Sequence, residues 1–192
     1  MSNAVLALCA GLSLNILLQW GVGIEQYEHE AELRPESLLF QGAAQFFTAL
    51  LLWCLFSYVF SPLSAGFFQN FLILPLIFAV KKGLEYLSRH FFSGASPGNG
   101  PLALSNACMG LSFFSLTLTL RLAASFLQAL VLALAFSLGS MLALLILSAI
   151  GRRSALEQAP AFLRGAPLTL IAMGLLSLIF TVLGALFLRI PA

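Results

Sequence analysis

The sequence predicts an all-α integral membrane protein with six transmembrane helices, and three observations carry that expectation. Of 192 residues, 60% are hydrophobic and only 8% charged, nine Lys or Arg against seven acidic residues, all of them Glu. A water-soluble domain carries about 25% charged residues. The charges are also segregated: Met1–Ile24, Ser37–Val80, Phe91–Leu120, Leu122–Gly151 and Gly165–Leu188 contain none, and a spanning helix needs about 20 apolar residues. Finally, these runs are continuously apolar and do not alternate, which argues against a membrane β-barrel. The composition excludes a soluble cytosolic globule, a disordered chain and a nucleic-acid binder with a basic face.

Each helix follows from a charge-free run and its punctuation. The first spans about residues 3–24; it lacks the basic n-region of a cleavable signal and is long enough to span. The Ser37–Val80 run is long enough for two helices, about 38–60 and 67–88, divided by the turn sequence Ser61-Pro62-Leu63-Ser64-Ala65-Gly66. The fourth, fifth and sixth cover about 101–121, 124–150 and 166–188. The loops are short, leaving a single transmembrane domain over 1–192. The connection from Gly94 to Gly100 is Gly- and Pro-rich and reads as a linker, not a phosphate cradle.

Two helices carry interruptions. Leu12-Ser13-Leu14-Asn15, followed by Gly21-Val22-Gly23, resembles Ala103-Leu104-Ser105-Asn106, followed by Gly110. Each stretch falls in the first helix of a three-helix half, and three helices reverse the chain's direction across a bilayer. The expectation is an inverted 3+3 repeat with interrupted first and fourth helices. Non-helical backbone at that depth is tolerated only inside protein or beside a cavity.

Lys81, Lys82 and Arg89 adjoin the third connection, and Arg152, Arg153 and Arg164 the fifth. Arg34 lies in the first, among Glu25, Glu28, Glu30, Glu32 and Glu36. The opposite side has Arg121 and Arg189. Counting basic residues alone places connections one, three and five in the cytoplasm and both termini outside.

The isolated polar residues each admit two readings. Were the acidic connection helical, Glu25, His29 and Glu32 would share a face suited to a divalent cation; the plainer reading is a solvated loop ending at Pro35, with Ser37 capping the second helix. Lys81 and Glu85 have the spacing of a helical pair, and the lysines either snorkel to the interface or form a polar site. Asn15, Gln41, Gln45 and Gln128 suit helix–helix hydrogen bonds. Gly139 and Ala143 form a small-xxx-small pair. Trp20, Trp53 and Tyr58 suit interfacial anchoring. Cys9 and Cys54 read as packing residues. Cys108 stands beside Asn106 and Gly110, where the fourth helix is interrupted. No hydrolytic triad or dinucleotide site is visible.

The order Phe126-Leu127-Gln128, Gly139, Ile150-Gly151-Arg152-Arg153, Pro160-Ala161-Phe162-Leu163-Arg164-Gly165, Leu170-Ile171-Ala172-Met173-Gly174 and Phe180 resembles the six-helix membrane subunits of Rnf and Nqr electron-transport complexes, closest to the RnfA and NqrE type. Asn15, Gly23, Glu85 and Asn106 fit the pattern more loosely, and the N-terminal half is divergent. The resemblance implies a multi-pass subunit of the bacterial inner membrane, both termini periplasmic, and not catalytic alone. Its partners would be a homologous subunit of opposite topology and the remaining subunits of an ion-translocating oxidoreductase. It also implies two cysteines contributed to a [2Fe-2S] cluster shared with that partner, since thiolates hold such irons. Here the sequence departs. The first ligand position falls near Glu25, and Ala107 follows Asn106, with Cys108 one place further. Cys108 is therefore the one candidate metal and cofactor ligand. The other function class is a small transporter or channel-like protein that uses the same fold without redox chemistry.

The orientation predicts that alkaline phosphatase fused after Ala192 is active in intact cells, while a fluorescent protein fused there stays dark. The reverse pattern would place the C-terminus in the cytoplasm.

Overall fold

The computed structural model describes residues 7, 9–20, 35–60, 69–91, 106–156 and 166–189, and every regular element among them is helical. The chain is π-helical over Cys9–Ser13, turns at Leu14, and resumes as α1, Ile16–Trp20. Next come α2, Pro35–Leu55, extended by a π-helical stretch, Phe56–Phe60, and α3, Gln69–Phe91. The last three are α4, Asn106–Leu122, α5, Phe126–Leu156, and α6, Ala166–Arg189.

Three stretches, Leu38–Phe60, Phe126–Ile150 and Pro167–Leu186, are long and apolar enough to cross a membrane, and Met109–Leu122 is apolar but shorter. In α3 the apolar run ends at Val80, where Lys81, Lys82, Glu85 and Arg89 begin. The surface also suits lipid. Leu170, Leu175, Leu178 and Ile179 on α6 are all more than half exposed, an apolar face too extensive for a water-soluble monomer. Conversely, Asn15, Gln45, Thr48, Ser115, Ser137 and Ser140 are buried. Apolar outside and polar within is the pattern of helices that associate in a bilayer through packing and hydrogen bonds.

Local sequence accounts for the turn between α4 and α5 and for the polar residues inside the helices. Between α4 and α5 the turn is only Ala123-Ala124-Ser125. Ser125 Oγ accepts the Gln128 N–H (3.4 Å), which covers one donor left open at the helix start, and Gln128 Oε1 accepts the N–H of Ala124 in the turn itself (3.0 Å). Thr48, Thr117, Thr119 and Thr181 each donate their hydroxyl to the carbonyl four residues earlier, at 2.6–2.8 Å. A threonine is thereby satisfied inside its own helix, with no outside partner. Pro75 lies within α3, and proline removes one helical hydrogen bond there.

Two hydrophobic clusters hold the bundle. One joins the first segment to α4, α5 and α6 through Leu17, Leu111, Leu132, Phe136, Leu144 and Met173. The other joins α2, α3, α4 and the start of α5 through Leu52, Trp53, Phe56, Ile73, Ile77 and Leu116. Trp53, expected at the membrane interface, is only 5% exposed. Its ring lies 6.3 Å from that of Tyr58 and 6.2 Å from that of Phe126, because position 53 falls on the face of α2 that meets α5. Tyr58 is exposed and Cys54 half-buried. The side chain of Trp20 lies outside the described residues.

Close packing depends on small residues along α5. A Cβ at Gly42 would collide with the Met141 side chain and stand 3.3 Å from Ser137 Oγ. Ser137 Oγ donates to the Gly42 carbonyl at 2.7 Å. Ser140 Oγ lies 2.9 Å from both Gln45 Oε1 and the Ser137 carbonyl, so its single proton is shared. At Gly139 a Cβ would run into the Gly11 carbonyl, whereas one at Gly174 meets nothing within 4 Å. Gly139→Ala is therefore expected to destabilise the protein by about 1–3 kcal/mol, the usual cost of overpacking. Gly174→Ala should be neutral or stabilising. Thermal unfolding of both variants in one detergent checks the contrast, and equal effects would refute it.

Candidate functional site

The first segment supplies the only break, among the described residues, inside a stretch expected to be one helix. The Asn15 N–H reaches the Leu12 carbonyl at 3.3 Å, and the Asn15 carbonyl accepts the Gln19 N–H at 3.0 Å. Asn15 thus stands where an N-cap residue stands, at the start of α1, a position that asparagine favours. A wide π-helical turn before the break fits the association of such turns with functional positions in helices.

Asn15 is 3% exposed. Its Nδ2 donates to the Gly139 carbonyl at 2.8 Å and to the Gly11 carbonyl at 3.3 Å. Both amide protons are therefore used, one on each side of a backbone crossing. The crossing is close because neither Gly11 nor Gly139 has a side chain. A Cβ on Gly11 would stand 3.1 Å from the Ala135 carbonyl oxygen. The Asn15 Oδ1 has no hydrogen-bond partner among the described residues, and the same holds for Gln45 Nε2 and Ser115 Oγ, all buried. An unpaired buried polar atom costs about 1–3 kcal/mol. Asn15 therefore gains from its two donor bonds and still leaves one acceptor unused.

Asn15 and Gly139, singled out separately in the sequence, are brought together. Gly174 lies on α6, exposed and away from the crossing. Asn106–Leu122 is continuous helix through Ala107, Cys108 and Gly110, so the interruption expected at Cys108 and Gly110 is not found among the described residues, and residues 101–105 lie outside them. The side chains of Asn106, Cys108 and Glu85 lie outside the described residues, as do Gly23, Glu25, His29, Arg164 and Gly165 entirely. Gly11 escaped sequence reasoning; its signal was its place one helical turn before Asn15. Gly42 escaped as well, and nothing in its apolar surroundings marked it.

Chemically, the crossing is neutral. Among the described residues no group of three or more His, Cys, Asp or Glu gathers where it could hold a metal ion. The amide moves no proton and presents no nucleophile; it positions backbone. No protein-family model matches this chain, and no curated protein sequence matches it either.

Loss of the Asn15 amide should cost about 1 kcal/mol, the usual worth of an interhelical hydrogen bond in a membrane protein. Aspartate at the same position should cost more, because a carboxylate would face the Gly11 and Gly139 carbonyl oxygens with no proton to donate. The expected order of unfolding temperature at pH 8 is wild type, then Asn15→Ala, then Asn15→Asp. A variant order with aspartate above alanine would refute the donor role.

Proposed function

We propose that this chain is a membrane subunit of an Rnf/Nqr-type redox-driven ion-translocating electron-transport complex, where it acts as a scaffold. The observation that carries the reading is the contact between Asn15 and Gly139 across 124 positions of sequence. Both residues belong to the pattern on which the resemblance to that family rests. Further support comes from the helix break at Asn15, one of the two places where the inverted-repeat reading puts an interruption. Six spans, the 3+3 repeat and an inner-membrane position with periplasmic termini all belong to this proposal.

The resemblance also implies a shared [2Fe-2S] cluster, and the donor set of this chain does not suit one. Cluster irons are held by thiolates. Ala107 follows Asn106, Cys108 is displaced by one position, and no cysteine lies near Glu25. A carboxylate suits harder metal sites. The proposed role is therefore to hold a homologous subunit of opposite topology and its neighbours in place, without an electron-carrying step on this chain.

Affinity purification from native membranes tests the reading. Other redox subunits should copurify, and the iron content per complex should be unchanged by Cys108→Ala. Iron lost only in the variant would overturn the scaffold-only role and make Cys108 a ligand. An iron-free homo-oligomer without other subunits, conducting solute or ions in liposomes, would overturn the complex reading in favour of a small transporter of the same fold.

A further inference from the structure

One cleft in the bundle is unaccounted for by a scaffold role. Helix α3 packs through Ile73 and Ile77 into the cluster of Leu52, Trp53, Phe56 and Leu116. Between Ile77 and Leu84, which packs against Ala44 of α2, it leaves a half-open cleft enclosing about 10 Å³, room for about one water. Its apolar walls are Ala44, Ile77, Leu84 and Met109; its polar groups are Thr48, Ser112 and Lys81. Thr48 and Ser112 are buried, and the Thr48 proton is given to the Ala44 carbonyl. The lining residues that carry a further donor are therefore Ser112, through its hydroxyl, and Lys81, through its ammonium. No carboxylate lines it among the described residues.

The outer face of the same helix changes character along its length. Phe71, Leu74 and Phe78 are more than half exposed. One turn on, the Lys82 ammonium lies 5.8 Å from the Phe78 ring centroid, and Tyr86 beyond it is 73% exposed. Apolar surface followed by a cation and a tyrosine is the order in which a helix leaves a bilayer core. The depth agrees: Ala44 lies about 9 Å of helix rise from Leu38, the start of the α2 span, and a lysine stem covers most of that distance.

We propose that this cleft is a headgroup site for an anionic phospholipid. One phosphate oxygen fills the enclosed space against Lys81 and Ser112, and the rest of the headgroup sits at the mouth beside Lys82. The acyl chains lie along Phe71, Leu74 and Phe78. The charge is complementary, and basic pockets between membrane helices hold such headgroups. Lys81 has three N–H donors, so a phosphate shares it with its other contacts. The lipid, rather than free phosphate, is the occupant because the exposed apolar face continues directly from the cleft. The site stands independently of the proposed redox complex.

The full chain, purified in neutral detergent after exposure to mixed phosphatidylglycerol and phosphatidylcholine, is weighed by native mass spectrometry for retained lipid. Phosphatidylglycerol should be retained in preference. Lys81→Gln should lower that retention about fivefold, the effect of about 1 kcal/mol per lysine at a membrane surface, and Lys81→Arg should restore it. Lys82→Gln, on the exposed rim, should lower it by less, which keeps the test open if Lys81→Gln fails to fold. Equal retention of the two lipids, or retention unchanged in both glutamine variants, would overturn the proposal. So would displacement of the lipid by inorganic phosphate at equal concentration, which would make the site one for the free anion.

Discussion

The backbone crossing of Gly11 and Gly139, closed by the Asn15 amide, is the constraint on which the rest of the bundle depends. A helix that breaks inside an apolar bundle exposes carbonyl and N–H groups that its apolar surroundings cannot satisfy. The break is sustainable because another backbone passes close enough for one side chain to serve both. That proximity requires glycine on each side. It also fixes α5 at the centre, since the same turn of that helix presents Ser137 and Ser140 to α2. The first segment and α2 are thus held against one spine of small residues by hydrogen bonds, where the hydrophobic effect offers little discrimination between helix and lipid.

From that centre the polarity of the molecule follows. Hydroxyls and amides collect where helices meet, while leucine, isoleucine and phenylalanine cover α6 and the outer face of α3. Thr48 and Thr119 return their protons to their own helices, which lets them sit in the interior. The two hydrophobic clusters share α4 and α5, so neither α2 with α3 nor the first segment with α6 stands apart from the spine.

The proposed scaffold role suits such a construction. A subunit that aligns neighbours needs a rigid interior and an extensive apolar exterior, and it has no need of a metal-ligating set. The cleft proposed to hold a lipid headgroup lies between α3 and the pair α2 and α4.

How much of this was legible in the sequence depends on the range of the physics involved. The absence of charge over long runs determined an all-helical, apolar chain. It also placed α2, α5 and α6 within a few residues of Pro35–Leu55 with its extension to Phe60, Phe126–Leu156 and Ala166–Arg189, because hydropathy and helix punctuation are local properties. Asn15 was visible as a polar interruption for the same reason. Its partner was not: Gly139 and Gly174 are both glycines in continuously apolar helices, and only packing made one a backbone crossing and left the other open. Trp53 likewise read as an interfacial anchor and is buried. Helices that are apolar on every side carry no facing signal in their sequence, so their rotation about their own axes, and with it every contact across the bundle, was decided by tertiary structure alone.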